Sequence, residues 1–387
     1  MNTSRTGHPP VQGFGLIELL VALAIGLMLM VVLVSMFVNS RRNEHELVLA
    51  AELIDNGRYA LQLIESDLMH AGFWGVYVPQ FDDQTLATVP VDVPALLPDP
   101  CLPRNATNWN TAYVEALLGV PVQGYDTAAV CSGLVTDRQA NTDVLVVRHA
   151  ETCVPGTGNC EADTAGRLYF QTSRCSGESP AYLLTDTGFT LHDRDCTTIA
   201  EKRRFISSLY YVRNYARTAG DGIPLLMLSR FELSGGGLAQ QPAVALIEGI
   251  EALRIEFGID HHVGRCNPAL PIHYDAAIAR VDPATCTENA IDAAANTLPA
   301  NRGDGTPDDT FVHCSTAAPC TAGQMMNVVA ARLYVLARSR EPSPGYTDRK
   351  TYTLGPATLG PYNDAYRRHL FSTTVRLVNV SARRISP

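Results

Sequence analysis

The densest set of reactive side chains in this 387-residue sequence is ten cysteines: Cys101, Cys131, Cys153, Cys160, Cys175, Cys196, Cys266, Cys286, Cys314 and Cys320. All lie beyond residue 100. Outside the cytoplasm such an even set predicts up to five disulfides, whose pairing the sequence leaves open. Cys153 with Cys160, and Cys314 with Cys320, are close enough to form local loop staples; free buried thiols are the alternative. His261-His262 with Cys266, and His313 beside Cys314, carry metal-ligating atoms, but neither group has the spacing of a familiar zinc site. Asp304, Asp308 and Asp309 in NRGDGTPDDT (301–310) offer oxygen ligands outside any EF-hand register, so the stretch reads as a solvated loop. Its RGD is too short to argue adhesion. No G-x-S-x-G, H-E-x-x-H or phosphate-loop stretch occurs. The reading therefore assigns no catalytic residue, no metal and no cofactor, and the chain reads as a non-enzyme.

The last chemically notable group is a single carboxylate, Glu18. It stands at the threshold of Leu19 to Val38, twenty residues without a charge. As a helix this run is ~30 Å long, about one hydrocarbon thickness. It exceeds the apolar core of a secretory signal and has no A-x-A site closing it, which predicts an uncleaved membrane helix. Arg5 precedes the run and Arg41-Arg42 follow it, so flanking charge alone does not orient it. Beyond Asn39 the apolar residues Leu47, Ala50, Ile54, Leu61, Ile64, Leu68 and Ala71 recur at three- and four-residue intervals, an amphipathic stripe. One rod over about residues 15–71, ~85 Å long, is expected, with Gly57 a soft point and Gly72 its end. The net charge of −9 and a pI near 5.6 give no electrostatic support for nucleic-acid binding.

The stretch GFGLIELLVALAIG resembles the cleavage and methylation motif of type IV pilins and type II secretion pseudopilins. The resemblance implies that a prepilin peptidase cuts after Gly13 and methylates the amine of Phe14. It also implies that Glu18 pairs with the terminal amine of a neighbouring subunit. An unpaired carboxylate in hydrocarbon is costly, so such a partner gives Glu18 a physical reason to be there. ELIDNGRYALQLIESDLMHAGFWG, with Asp55, Asn56, Gly57, Arg58, Tyr59 and Ala60 at its heart, is similar to the post-membrane segment of PilW-type minor pilins. YRRHLFSTTVRLVNV, with Tyr366, Arg367, Arg368, Phe371, Ser372 and Thr373, is similar to the closing segment of that family.

Between these segments, alternating runs at 143–150, 166–171, 181–185, 207–216, 224–233, 244–259, 327–338 and 370–380 read as antiparallel strands, although 331–338 also has helical propensity. Residues 76–140 and 260–325 read as long decorated loops. The expected class is α+β and type IV pilin-like: a long N-terminal helix packed on an antiparallel sheet head with loop insertions. The expected partition is a leader at 1–13, a transmembrane and assembly helix at 14–39, its amphipathic continuation at 40–72, and an exported, disulfide-containing head at 73–387. The resemblance implies a minor pilin that helps prime or assemble the pilus. It would be a single-pass bacterial inner-membrane protein with a periplasmic head, incorporated near the pilus tip. Its partners would be other minor pilins, the major pilin, the prepilin peptidase and the assembly platform, with no nucleic acid. A minor pseudopilin of type II secretion and a pilin-anchored periplasmic binding module are the alternatives.

Overall fold

The computed structural model describes residues 15–127, 129–263, 270–281, 288–289, 298–299 and 301–384. The chain divides into two units, Met1–Ala51 and Glu52–Pro387, with one helix, α1 (Leu16–His70), crossing the division.

In the first unit every residue from 15 to 45 is exposed. Leu, Val, Met and Ala dominate it through Val38, and the side chains of Leu16, Leu27, Met28 and Val31 are all more than 60% accessible. Helix propensity and the absence of Pro keep this stretch helical. Nothing among the described residues covers it.

The second unit carries the rest of α1, a short helix α2 (Thr111–Gly119), a single helical turn at Ala322–Met325 and a C-terminal helix α3 (Val378–Arg384). Its strands longer than two residues are, in chain order, β1 (Val122–Tyr125), β2 (Val144–Ala150), β3 (Tyr169–Thr172), β4 (Tyr182–Thr185), β5 (Lys202–Arg213), β6 (Leu225–Ser234) and β7 (Gly237–Gln240). They continue with β8 (Val244–Glu248), β9 (Ile250–Ile259), β10 (Val328–Arg338), β11 (Tyr352–Leu354), β12 (Ala357–Leu359) and β13 (Arg368–Arg376). The larger sheet runs β1-β2-β5, and the long β5 then pairs with β3 through its first residues and with β6 through its last. A second sheet, β13-β10-β9, is antiparallel throughout, with Leu333 facing Ile255 on one side and Thr373 on the other. The class is α+β.

The core follows from strand alternation. Leu145 and Val147 of β2 join the cluster that holds Leu53, Ala60, Leu61, Ile64 and Leu68 of α1. Val144 and Val146 point the other way, into a cluster with Leu209, Tyr211 and Met227. Leu253, Ile255, Leu333 and Val335 of the second sheet join the same cluster. Burying each such aliphatic side chain is worth about 1.5–3 kcal/mol, so this cluster is a main contributor to the unit's stability.

Several sequence readings are corrected. The stripe on α1 runs through Leu53, Gly57 and Ala60, whereas Leu47 (71% accessible) and Ile54 face outward. The 244–259 run is two strands, because Gly249 at φ +81° turns the chain between them. There a Cβ would sit 2.7 Å from the Arg338 carbonyl oxygen, so only glycine fits. Residues 331–338 are strand, as their alternation predicted. The 76–140 segment contains α2, capped by the Asn110 side chain, as well as β1. The final run leaves the sheet at Arg376 and becomes α3.

Candidate assembly site

Gly13 and Phe14 lie outside the described residues. Glu18 sits in the first turn of α1, where its carboxylate accepts the Gly15 N–H at 2.9 Å. Gly15 is the residue before the helix and Glu18 the third within it, which is the acidic half of a capping box. Sequence reasoning passed over this local role, which the position of a glutamate three residues into a helix could have signalled. A carboxylate there faces the positive end of the helix dipole and presents acceptor capacity toward the amino-terminal side. The apolar surface beginning one residue later is uncharged and bare on all sides through Val38.

Within the second unit, the two family-like segments meet. Gly57 lies against the Phe371 ring of β13, so closely that a Cβ would fall inside it. The Asn56 side chain donates to the Glu248 carbonyl at 3.2 Å. Asp67 accepts from the Tyr210 hydroxyl at 2.9 Å and contacts His149 Nε2 at 2.9 Å, tying α1 to β5 and β2. Burial, and then the Asp67 charge, push the Tyr210 phenol up. At the end of α1, Asn379 of α3 donates to the Met69 carbonyl at 3.0 Å, and Arg383 donates to the Gly72 carbonyl. The first satisfies a carbonyl that a helix end leaves open, and the second holds the turn that follows.

The closing segment has its own centre. The Arg368 side chain is 1% accessible. It reaches Glu251 at 3.0 Å, Asp348 at 3.1 Å and Asp364 at 2.7 Å, and stacks 3.7 Å from the Tyr362 ring centroid. Arg338 lies over Tyr366, and Arg367 over Tyr346. A second buried arginine, Arg384 of α3, holds Asp82 at 3.0 Å and Asp260 at 3.4 Å. Burial outweighs that neighbour and pushes the Asp260 carboxyl up to about 6.

The remaining chemical candidates resolve as follows. Cys101–Cys131, Cys153–Cys160, Cys175–Cys196 and Cys314–Cys320 are disulfides, including both local staples. Cys266 and Cys286 lie outside the described residues. The acidic loop is less solvated than expected: Arg302 is 2% accessible and lies 4.8 Å from the Tyr274 ring centroid. Asp304 turns back on Thr306, and Asp308 accepts the amides of His261 and His262 at 2.6 Å. His261, His262 and Asp308 bring ligand atoms within 4.8 Å of one another. Asp308 is already hydrogen-bonded there, and the sequence's further ligand, Cys266, lies outside the described residues. His313 binds Asp143 at 3.0 Å, next to Arg254, and so serves the core.

Comparison with known proteins gives two family matches. The profile of the type IV pilus-assembly protein W family matches residues 209–379, and that of the prokaryotic N-terminal methylation motif matches residues 10–34. No curated protein matches the sequence. Among solved structures, a type IV-like pilin from Thermus thermophilus is similar at 13% identity and a TM-score of 0.23, over 64% of this chain and 81% of its own. A superposition that loose carries no weight; the class rests on the helices and antiparallel sheets themselves. The first match spans β5 to the start of α3 and the second spans Gly13, Phe14 and Glu18.

Proposed function

We propose, from the premise that the chain belongs to the PilW-type minor type IV pilins, that it is a non-enzymatic subunit that helps prime or assemble the pilus. The observation that carries this reading is the bare apolar stretch 16–38 headed by Glu18. Such a surface has no role in a soluble protein and needs lipid or other apolar helices around it.

Prepilin peptidase cuts after Gly13 and methylates Phe14, leaving a cationic amine four residues before Glu18. In the membrane the two groups of one chain cannot both pair internally while Glu18 caps its own helix. Pairing the amine of one subunit with the Glu18 of its neighbour neutralises both and fixes the axial register between helices. Apolar packing supplies the attraction and this ion pair supplies the selectivity. The head lies in the periplasm, the compartment in which its disulfides form, and the anchor in the inner membrane. Other minor pilins and the major pilin are the neighbours, and the assembly platform receives the complex.

The Glu18→Val chain tests the proposal. It is expected to be processed and inserted like the native chain, yet to lose cross-linking to neighbouring minor pilins and to leave few surface pili. Native levels of cross-linking and piliation with Glu18→Val would overturn the role given to Glu18.

A further inference from the structure

A groove of about 900 Å³ opens on the second unit between β4, α2 and the 76–92 segment. Three features of it point the same way. Tyr77, Trp109 and Tyr182 supply aromatic surface, with the Tyr77 and Tyr182 ring centroids 4.8 Å apart. Asp83, Asp92 and Glu115 line it, and no lysine or arginine does. Arg104, over the Trp109 ring, is committed to Asp186 at 2.9 Å. Asp92 is held in place by the Gln80 and Phe81 amides, at 2.7 and 3.1 Å. The Glu115 side chain makes no hydrogen bond or ion pair among the described residues, and burial, then the Asp92 charge, push its carboxyl up. The groove is therefore short of positive charge.

The third feature is its wall. Among the described residues β4 pairs only with β3. Ser173 N–H donates to the Ala181 carbonyl, and Gln171 faces Leu183 two residues on, so alternate residues of β4 bond inward. Tyr182 and Leu184 then turn their N–H and C=O groups outward, away from β3. The strand, YLLT, has none of the lysine, proline or inward charge by which exposed edges are blocked.

We infer that this groove binds an extended polypeptide segment carrying a lysine or arginine, which adds as a strand to the free edge of β4 and sets its cation among Glu115, Asp92 and the Tyr77 and Tyr182 rings. Backbone pairing gives affinity along the edge, and the acidic, aromatic pocket selects the side chain. The inference stands apart from the reading of the N-terminal helix, since it uses no residue before Val76.

The test uses the full-length protein in a non-ionic detergent, titrated with eight-residue peptides and followed by calorimetry and by tryptophan fluorescence, since Trp109 lines the groove. An alternating Lys-Val peptide is expected to bind. Its Glu-Val counterpart, and a Lys-Val peptide N-methylated at alternate residues, are each expected to bind at least about tenfold more weakly. Glu115→Gln is expected to weaken the Lys-Val peptide severalfold with an unchanged melting curve. Equal affinity for the acidic peptide would remove the charge argument. Equal affinity for the methylated peptide would remove strand addition, and no binding at millimolar peptide would remove the site.

Discussion

At the scale of single residues, the two segments that resemble a family are explained by contact with each other and with the core. Gly57 is glycine because Phe371 occupies the space of its side chain. Gly57→Val is therefore expected to lower stability by about 1–3 kcal/mol, the range for overpacking, and Phe371→Ala in the same chain to recover part of that loss. Denaturant unfolding of the single and double variants measures both. Arg368 neutralises the buried Glu251 and Asp348 and the half-buried Asp364, so Arg368→Met leaves the buried Asp348 without its ion pair and is expected to cost about 3–5 kcal/mol. Glu178 gives a pH signature. Hydrogen bonds from the Ser173 hydroxyl, the His192 amide and the His192 ring lower its carboxyl from 4.5 to about 2. A depressed carboxyl contributes stability that is complete above its unfolded value and is lost as pH falls toward its folded one. The melting temperatures of native and Glu178→Gln protein should thus differ at pH 6 and converge between pH 4.5 and 2. A constant difference would assign the Glu178 effect to packing.

At the scale of elements, what could be read from sequence was what depends on local pattern. Strand alternation around DVLVVRHA and SSLYYVRNYA located β2 and β5, and the apolar run located the bare part of α1. The two short cysteine intervals marked Cys153–Cys160 and Cys314–Cys320. Errors arose where distant contacts decide. The buried face of α1 is phased by Gly57 against Phe371, more than three hundred residues apart, and a glycine carries no hydrophobic signal. α3 escaped notice because 370–380 reads as one strand, and local pattern does not show that Asn379 and Arg383 close the end of α1 or that Arg384 holds Asp82 and Asp260. The Cys101–Cys131 pairing was out of reach, since only the fold brings its ends together. That bond spans 30 residues. Its double serine variant is expected to lose about 3 kcal/mol or somewhat more, and the six-residue Cys314–Cys320 loop less. Parallel denaturant titrations of the two variants give the order.

At the scale of the molecule, the chemistry is divided between the units. Residues 15–38 of the first unit carry one carboxylate, Glu18, on an apolar helix that nothing among the described residues covers. The second carries a disulfide-tied, two-sheet core with an acidic, edge-lined groove on its surface. The proposed pairing of Glu18 with a neighbour's amine, and a head with surfaces of its own, suit a subunit whose work is to join others. The most direct measurement of that claim is N-terminal peptide and intact mass spectrometry on membrane and sheared-pilus fractions. The predicted result is a chain beginning at N-methyl-Phe14 in the membrane and at low level in sheared pili. A chain still beginning at Met1 in cells with active prepilin peptidase would contradict the account and leave an ordinary anchored head.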